Sequence, residues 1–321
     1  TLRICISILI LIVVTTSNGI AQNGISANQY NRHIRFLADD KLEGRFPGTN
    51  GNDRAAAYIR KQFKRFGLTQ WHPDYYQPFY VNIKKQTNSV SQDSVLTNNV
   101  IGYLPGSDPM LKDEYIVIGA HYDHLGWGGK GTGSKKPDTL AIHNGAIDNA
   151  SGTAALLCIA KEVSRAKLNK RSIIFIAFSG EEEGLVGSKY FTNHLPVPDT
   201  AIKLMINMDI LGCLNAEKQL YMGGAGTFPG GETLLKNLGN GSGLNTIVIA
   251  GGVGGSDHVS FYKKKIPVLG FHTGGYPQYH TPEDDIEFIN TDGAVQSCQY
   301  IYRALLAIAN YSQTIYFIKQ D

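Results

Sequence analysis

The 321-residue chain carries no cationic block longer than Lys263-Lys264-Lys265, and its formal charge of +3 is spread along its length. Nucleic-acid surfaces need concentrated basic patches, so no nucleic-acid partner is expected. Cysteine is scarce: there are four, and none of their spacings is that of a cysteine-based metal site. Repeats and linkers are also missing, so the length reads as one large α/β domain or two smaller ones with ample chain for a core. Beyond the first stretch no apolar run approaches the length of a membrane span.

That first stretch, residues 1–21, has a basic start at Leu2-Arg3, an apolar run over 4–14 and small residues at Gly19-Ile20-Ala21. This is the pattern of a secretory signal peptide, too short to cross a bilayer comfortably. No cysteine lies near Ala21, which argues against lipid attachment, and the start at Thr1 suggests numbering that omits the initiator. The expectation is an exported, soluble protein, periplasmic or secreted, with residues 22–321 as its mature part. Loss of Cys5 leaves Cys158, Cys213 and Cys298, an odd number, so at least one thiol should be free. Cys158 and Cys298 fall at apolar positions of predicted helices and read as core thiols.

What is present is a series of apolar runs that stop at polar residues. Residues 172–178 read as a buried strand, which ends at Ser179-Gly180 and then Glu181-Glu182-Glu183 before a helical pattern through Leu185, Tyr190 and Phe191. Strands are also predicted at 79–83, 100–104, 115–118, 202–208 and 268–271. An amphipathic helix starts at Ser26, and a second begins near Asn52 or Asp53 and ends at Gly67. A third begins at Ser151, and the last uses Ala294, Cys298, Ile301, Leu305 and Ile308.

The strand at 115–118 leads into His121-Tyr122-Asp123-His124, Asp148 precedes the helix at Ser151, Asp209 closes the strand at 202–208, and His280 follows the strand at 268–271. Any one of these is unremarkable, and a Glu triplet by itself is usually a solvated turn. Together, His121, Asp148, Glu182, Asp209 and His280 come from separate loops that neighbouring strands should deliver to one edge of a sheet. Two imidazoles and three carboxylates suit a borderline divalent metal such as zinc, and five ligands exceed the usual three of one catalytic zinc. Two metals sharing a carboxylate would use all five.

The motifs Leu42-Glu43-Gly44-Arg45, His121-Tyr122-Asp123, 144–152, 181–188, Asn207-Met208-Asp209 and Tyr279-His280-Thr281-Pro282 resemble those of the M28 family of co-catalytic zinc aminopeptidases. The resemblance implies an α/β fold: a three-layer α/β/α sandwich around a mixed, mostly parallel twisted sheet, of the zinc-peptidase, phosphorylase/hydrolase-like kind. It further implies two zinc ions per chain, with Asp148 bridging, His121 and Asp209 completing one site, and Glu182 and His280 the other. Glu181 would be the general base toward a water held by the zinc pair, and Asp123 would orient His121. A cis peptide is implied at Asp148-Asn149, and Tyr279 would donate to the oxyanion. Substrates would be peptides with a free amino terminus.

Many members have Asp where this chain has Ile147, but the bridging position is retained at Asp148. There is no room for a protease-associated insert before His121, so 22–321 reads as one catalytic domain. The alternatives are a glutaminyl cyclase, similar over the stretch from Ser256-Asp257-His258 through His280, a carboxypeptidase of the same clan, and a binding protein that has lost its metals. The uninterrupted stretch 181–188 speaks against the animal-type cyclase. His124, His143, His258 and His272 read as hydrogen-bonded wall residues. The glycine run at 251–255 reads as a flexible loop, because it lacks the Lys-Ser/Thr of a phosphate loop.

Overall fold

A computed structural model of the chain describes residues 24–83, 93–195 and 197–320; the leader-like segment 1–21 lies outside the described residues. Helices α1 (Ala27–Leu37) and α2 (Asn50–Arg65) precede strands β1 (Thr69–Gln70), β2 (Tyr76–Ile83), β3 (Asp93–Leu104) and β4 (Tyr115–His121). There follow α3 (Ser151–Ala166), β5 (Ser172–Phe178), α4 (Val186–Asn193), β6 (Ile202–Met208), β7 (Gln219–Gly223), α5 (Gly231–Gly239), β8 (Asn245–Val248), α6 (His258–Lys263), β9 (Val268–His272) and α7 (Thr291–Ala309).

The strands form one sheet in the order β1-β3-β5-β4-β6-β9-β7-β8, with β2 also paired to β3. Its centre is parallel, β5 and β6 flanking β4 and β9 lying beyond β6. Antiparallel pairing begins where β3 meets β5 and where β7 meets β9, so the sheet is mixed. Alternate residues of the central strands enter two cores. Ile116, Ile118, Ile173 and Phe175 pack with α1, α2, α3 and α7, whereas Val117, Ile174, Ile176 and Phe178 pack with Phe191 of α4 and Phe261 of α6. All seven residues of β5 are buried, as a strand covered by helices on both faces requires. The result is the expected three-layer arrangement.

Some boundaries differ from the expected ones. Helix α2 starts at Asn50, because the Thr49 side chain caps it by accepting the Asn52 amide. It stops at Arg65, and Gly67, at φ +74°, turns the chain away. Strand β3 begins at Asp93 rather than at 100, because its polar first half pairs with β2. Strands β7 and β8 and helices α5 and α6 are short and only partly apolar, and the sequence pattern does not announce them. Cys158 and Cys298 are buried free thiols, and Cys213 is free as well. No helix among the described residues is long and apolar enough to cross a membrane.

Candidate metal centre

Because β4, β5 and β6 run parallel, their carboxyl ends lie together, and each is followed by polar side chains. His121 is the last residue of β4, Asp209 directly follows β6, and Glu181 and Glu182 lie just beyond β5. Asp148 enters from the turn Ala146–Ala150 that leads into α3. The peptide bond Asp148-Asn149 is cis.

The two oxygens of Asp148 face different imidazoles. Its Oδ1 is 3.2 Å from His121 Nε2, and its Oδ2 is 3.2 Å from His280 Nε2. Asp209 Oδ1 is 3.4 Å from the same His121 nitrogen, and Glu182 Oε2 is 3.4 Å from that of His280. Donor atoms of His121, Asp148 and Asp209 lie within 4.8 Å of one another, as do those of His124, Asp148 and Glu182. His124 is therefore more than a wall residue: its Nδ1 lies 2.7 Å from Glu182 Oε1.

Supporting contacts hold these groups in place. Asp123, fully buried, lies 3.7 Å from His121 Nδ1 and accepts the backbone amides of Glu181 and Glu182 at 3.2 and 3.3 Å. One carboxylate thereby ties the end of β4 to the acidic loop after β5. That loop is anchored at Ser179, whose hydroxyl lies 2.8 Å from Thr97 Oγ1 and whose amide donates to Asn99 Oδ1.

Residues without an assigned role in the sequence complete the frame. Asp284 accepts the amides of Ile147 and Asp148 at 2.8 and 3.0 Å and the Tyr276 hydroxyl at 2.7 Å. Arg45 is 0% exposed and donates to the carbonyls of Leu37, Tyr122, Asn144 and Gly145. It therefore joins the end of β4 to the loop that carries Asp148. Burial lowers the Arg45 guanidinium to about 10, opposed by Asp123, Asp284, Asp148 and Glu182. Arg45 lies in a motif visible in the sequence, but three of its four partners, Tyr122, Asn144 and Gly145, lie 77 to 100 positions away and had no sequence signal.

Tyr279 stacks on the His280 ring with centroids 3.9 Å apart, and Lys135 Nζ lies 4.4 Å from the Tyr279 ring centre. Of the other histidines, His143 bonds to Ser134 and Ala141, and His272 accepts the Gly274 amide. His258 departs from the expected hydrogen-bonded role: neither ring nitrogen has a partner. Its ring is packed against Gly270 inside the fold, and burial lowers its pKa to about 4. The imidazole is thus kept neutral, which limits the cost of leaving it unpaired. The glycine run forms one wall of a cavity of about 310 Å³ beside Asp209, lined also by Ile210, Ile249, Phe271 and His272.

Burial and mutual repulsion dominate the electrostatics of the cluster. Burial raises the carboxyl of Glu181 well above its usual range; His121 opposes this, while Glu182, Asp257 and Asp209 add to it. Burial likewise raises Glu182, and Asp148 adds to the shift. For Asp148 burial acts in the same direction, but contacts with His121 and His280 outweigh it and hold this carboxyl low. Burial disfavours a proton on His121, yet Asp209, Glu181, Asp123 and Asp148 drive its pKa well up. So many buried carboxylates call for cations, and buried Asp148 Oδ1 and Asp209 Oδ1 make no hydrogen bond. Oxygen and imidazole donors of this kind fit zinc.

The family model for peptidase family M28 matches residues 99–305. Leupeptin-inactivating enzyme 1 of Streptomyces exfoliatus is 34% identical over 178 residues, which are 55% of this chain and 36% of that protein. Aminopeptidase YwaD of Bacillus subtilis is 27% identical over 237 residues, 70% of this chain and 46% of the relative. Aminopeptidase Y of Saccharomyces cerevisiae is 26% identical over 232 residues, 67% and 40%. The chain spans less than half the length of these three relatives. Among solved structures, the zinc aminopeptidase BSAP from Bacillus subtilis superposes with a TM-score of 0.71 at 17% identity, over 92% of this chain and 98% of its own. A Zn-dependent exopeptidase from Parabacteroides distasonis gives 0.68 at 18%, over 88% and 98%. At these identities the structural likeness speaks for the fold.

Proposed function

The chain belongs to peptidase family M28, and from that membership we propose that it is a zinc-dependent aminopeptidase acting on peptides with a free amino terminus. The observation that carries the proposal is Asp148, whose two oxygens face His121 and His280 separately. In this reading His121, Asp148 and Asp209 would hold one zinc ion, and Asp148, Glu182 and His280 a second. His124, engaged with Glu182 Oε1 at 2.7 Å, positions that carboxylate.

Zinc bound there supplies Lewis acidity toward a carbonyl oxygen and makes water more acidic near neutral pH. Glu181 lies outside both donor groups and is the general base: it takes the proton of the attacking water and returns it to the leaving amine nitrogen. A positioned base of this kind contributes about 10²–10⁴ in rate. Asp123 fixes the ring of His121 and, through two backbone amides, the direction of the Glu pair. The Tyr279 hydroxyl donates to the carbonyl oxygen as negative charge builds on it. The cavity beside Asp209, walled by Ile210, Ile249 and Phe271, receives an apolar side chain of the substrate's first residue. Residues 22–321 act as one peptidase domain, and the leader-like residues 1–21 direct export to the periplasm or medium.

The test combines the metal content of purified protein with its activity on amino-acyl anilides and on Gln-initiated peptides. Two zinc ions per chain with anilide cleavage are expected. One zinc with pyroglutamate formation would overturn the proposal in favour of a cyclase.

A further inference from the structure

Away from the metal centre, α1, the end of α2 and the second half of α3 border a solvent-open cavity of about 290 Å³. Four cationic side chains, Arg32, Arg65, Lys161 and Arg165, line it, and no carboxylate does. Arg165 is paired with Glu162 at 3.0 Å. Among the described residues Arg32, Arg65 and Lys161 have no carboxylate at ion-pair distance. Cations in the last turns of α2 and α3 offset the helix dipole, which accounts for Arg65 and Arg165. It does not account for Arg32, in the middle of α1, or for Lys161, more than a turn before the end of α3.

Two further lining residues make the cavity more than a basic patch. Gln29 is 9% exposed and Ser164 7%, and the buried atoms Gln29 Nε2 and Ser164 Oγ have no hydrogen-bond partner. The orientation of the Gln29 amide follows from Lys161 Nζ, which donates to Gln29 Oε1 at 3.3 Å and leaves the NH₂ group free. A serine inside a helix commonly turns its hydroxyl back to the carbonyl four residues earlier, but Ser164 makes no such bond. A buried donor left unsatisfied is costly, and a ligand that accepts from it removes that cost. Both can donate, and both stand among positive charges. The field also reaches buried His33, whose imidazole is lowered by burial to about 4, with Arg32, Lys161 and Arg65 pushing the same way.

We propose that this cavity binds a phosphate-type oxyanion, with Arg32, Arg65 and Lys161 supplying charge and Gln29 Nε2 and Ser164 Oγ supplying neutral donors. The cavity exceeds the size of one phosphate group and leaves room for a small ester substituent. The ligand is therefore either the inorganic ion or a phosphorylated small molecule.

The test is the thermal midpoint of the zinc-loaded protein titrated with inorganic phosphate, and separately with glycerol 3-phosphate, at constant ionic strength. A saturable rise is expected with one or both ligands. Because phosphate can also meet zinc, the surface double variant Arg65→Gln/Lys161→Gln is titrated in parallel. Its apparent affinity should fall about tenfold or more, since two charge-assisted donors are lost, while zinc content and peptidase activity stay at wild-type levels. Ser164→Ala should weaken binding without lowering the midpoint of the ligand-free protein. Tighter binding of glycerol 3-phosphate assigns the ester, and tighter binding of phosphate the free ion. No saturable rise in the wild type, or an equal rise in the double variant, overturns the proposal.

Discussion

Asp284 Oδ2 accepts the backbone amide of Asp148 at 3.0 Å, so a side chain just past His280 fixes the turn carrying the carboxylate that faces both imidazoles. Asp284→Asn puts an amide donor against one of the N–H groups now satisfied. Groups that orient metal ligands typically matter by about 10–100-fold in affinity, and zinc affinity should fall by that order. Chelator competition measures it, and wild-type affinity would reduce Asp284 to a packing role.

Glu181 and Glu182 are adjacent but have different tasks in the proposed mechanism. Glu181→Gln should lower kcat by about 10² or more while zinc stoichiometry holds. Glu182→Gln should lose or weaken one zinc. Metal analysis alongside kinetics separates the two, and exchanged effects would reverse the assignment.

Tyr279→Phe removes a hydroxyl and keeps the ring that stacks on His280 at 3.9 Å. If the hydroxyl acts on the developing oxyanion, kcat should fall about 10²–10³ with zinc content unchanged. A change confined to KM would mean that the ring only lines the cleft.

Arg45→Met fills similar space but removes the buried donor to the carbonyls of Leu37, Tyr122 and Asn144, while Gly145 keeps the Ala150 amide. The expected loss of stability is about 3 kcal/mol or more, read as a lower urea midpoint. Arg45→Lys keeps the charge but cannot reproduce the fork, and should fall between the two.

The sequence by itself determined the central strands and the candidate ligands. Runs such as 173–178 are apolar at every position, as a strand covered on both faces requires, and a carboxylate or imidazole just past such a run is delivered to the sheet's edge. Composition was equally decisive for Cys158 and Cys298, whose apolar helical neighbours place them in the core. Only the tertiary structure decided what holds the centre together. Arg45 meets Asn144 across 99 positions and Asp284 meets Ile147 across 137, and nothing local in either pair marks a partner. The same holds for β3, whose stretch before Val100 buries Thr97 and Asn99 and so lacks the apolar signature of a core strand. It holds again for the cationic cavity, where α1, α2 and α3 each contribute charges that look like ordinary solvated faces until the helices pack together. Local pattern reports which side of an element is buried, whereas the partner of a buried polar group is set by chain crossings that no short window contains.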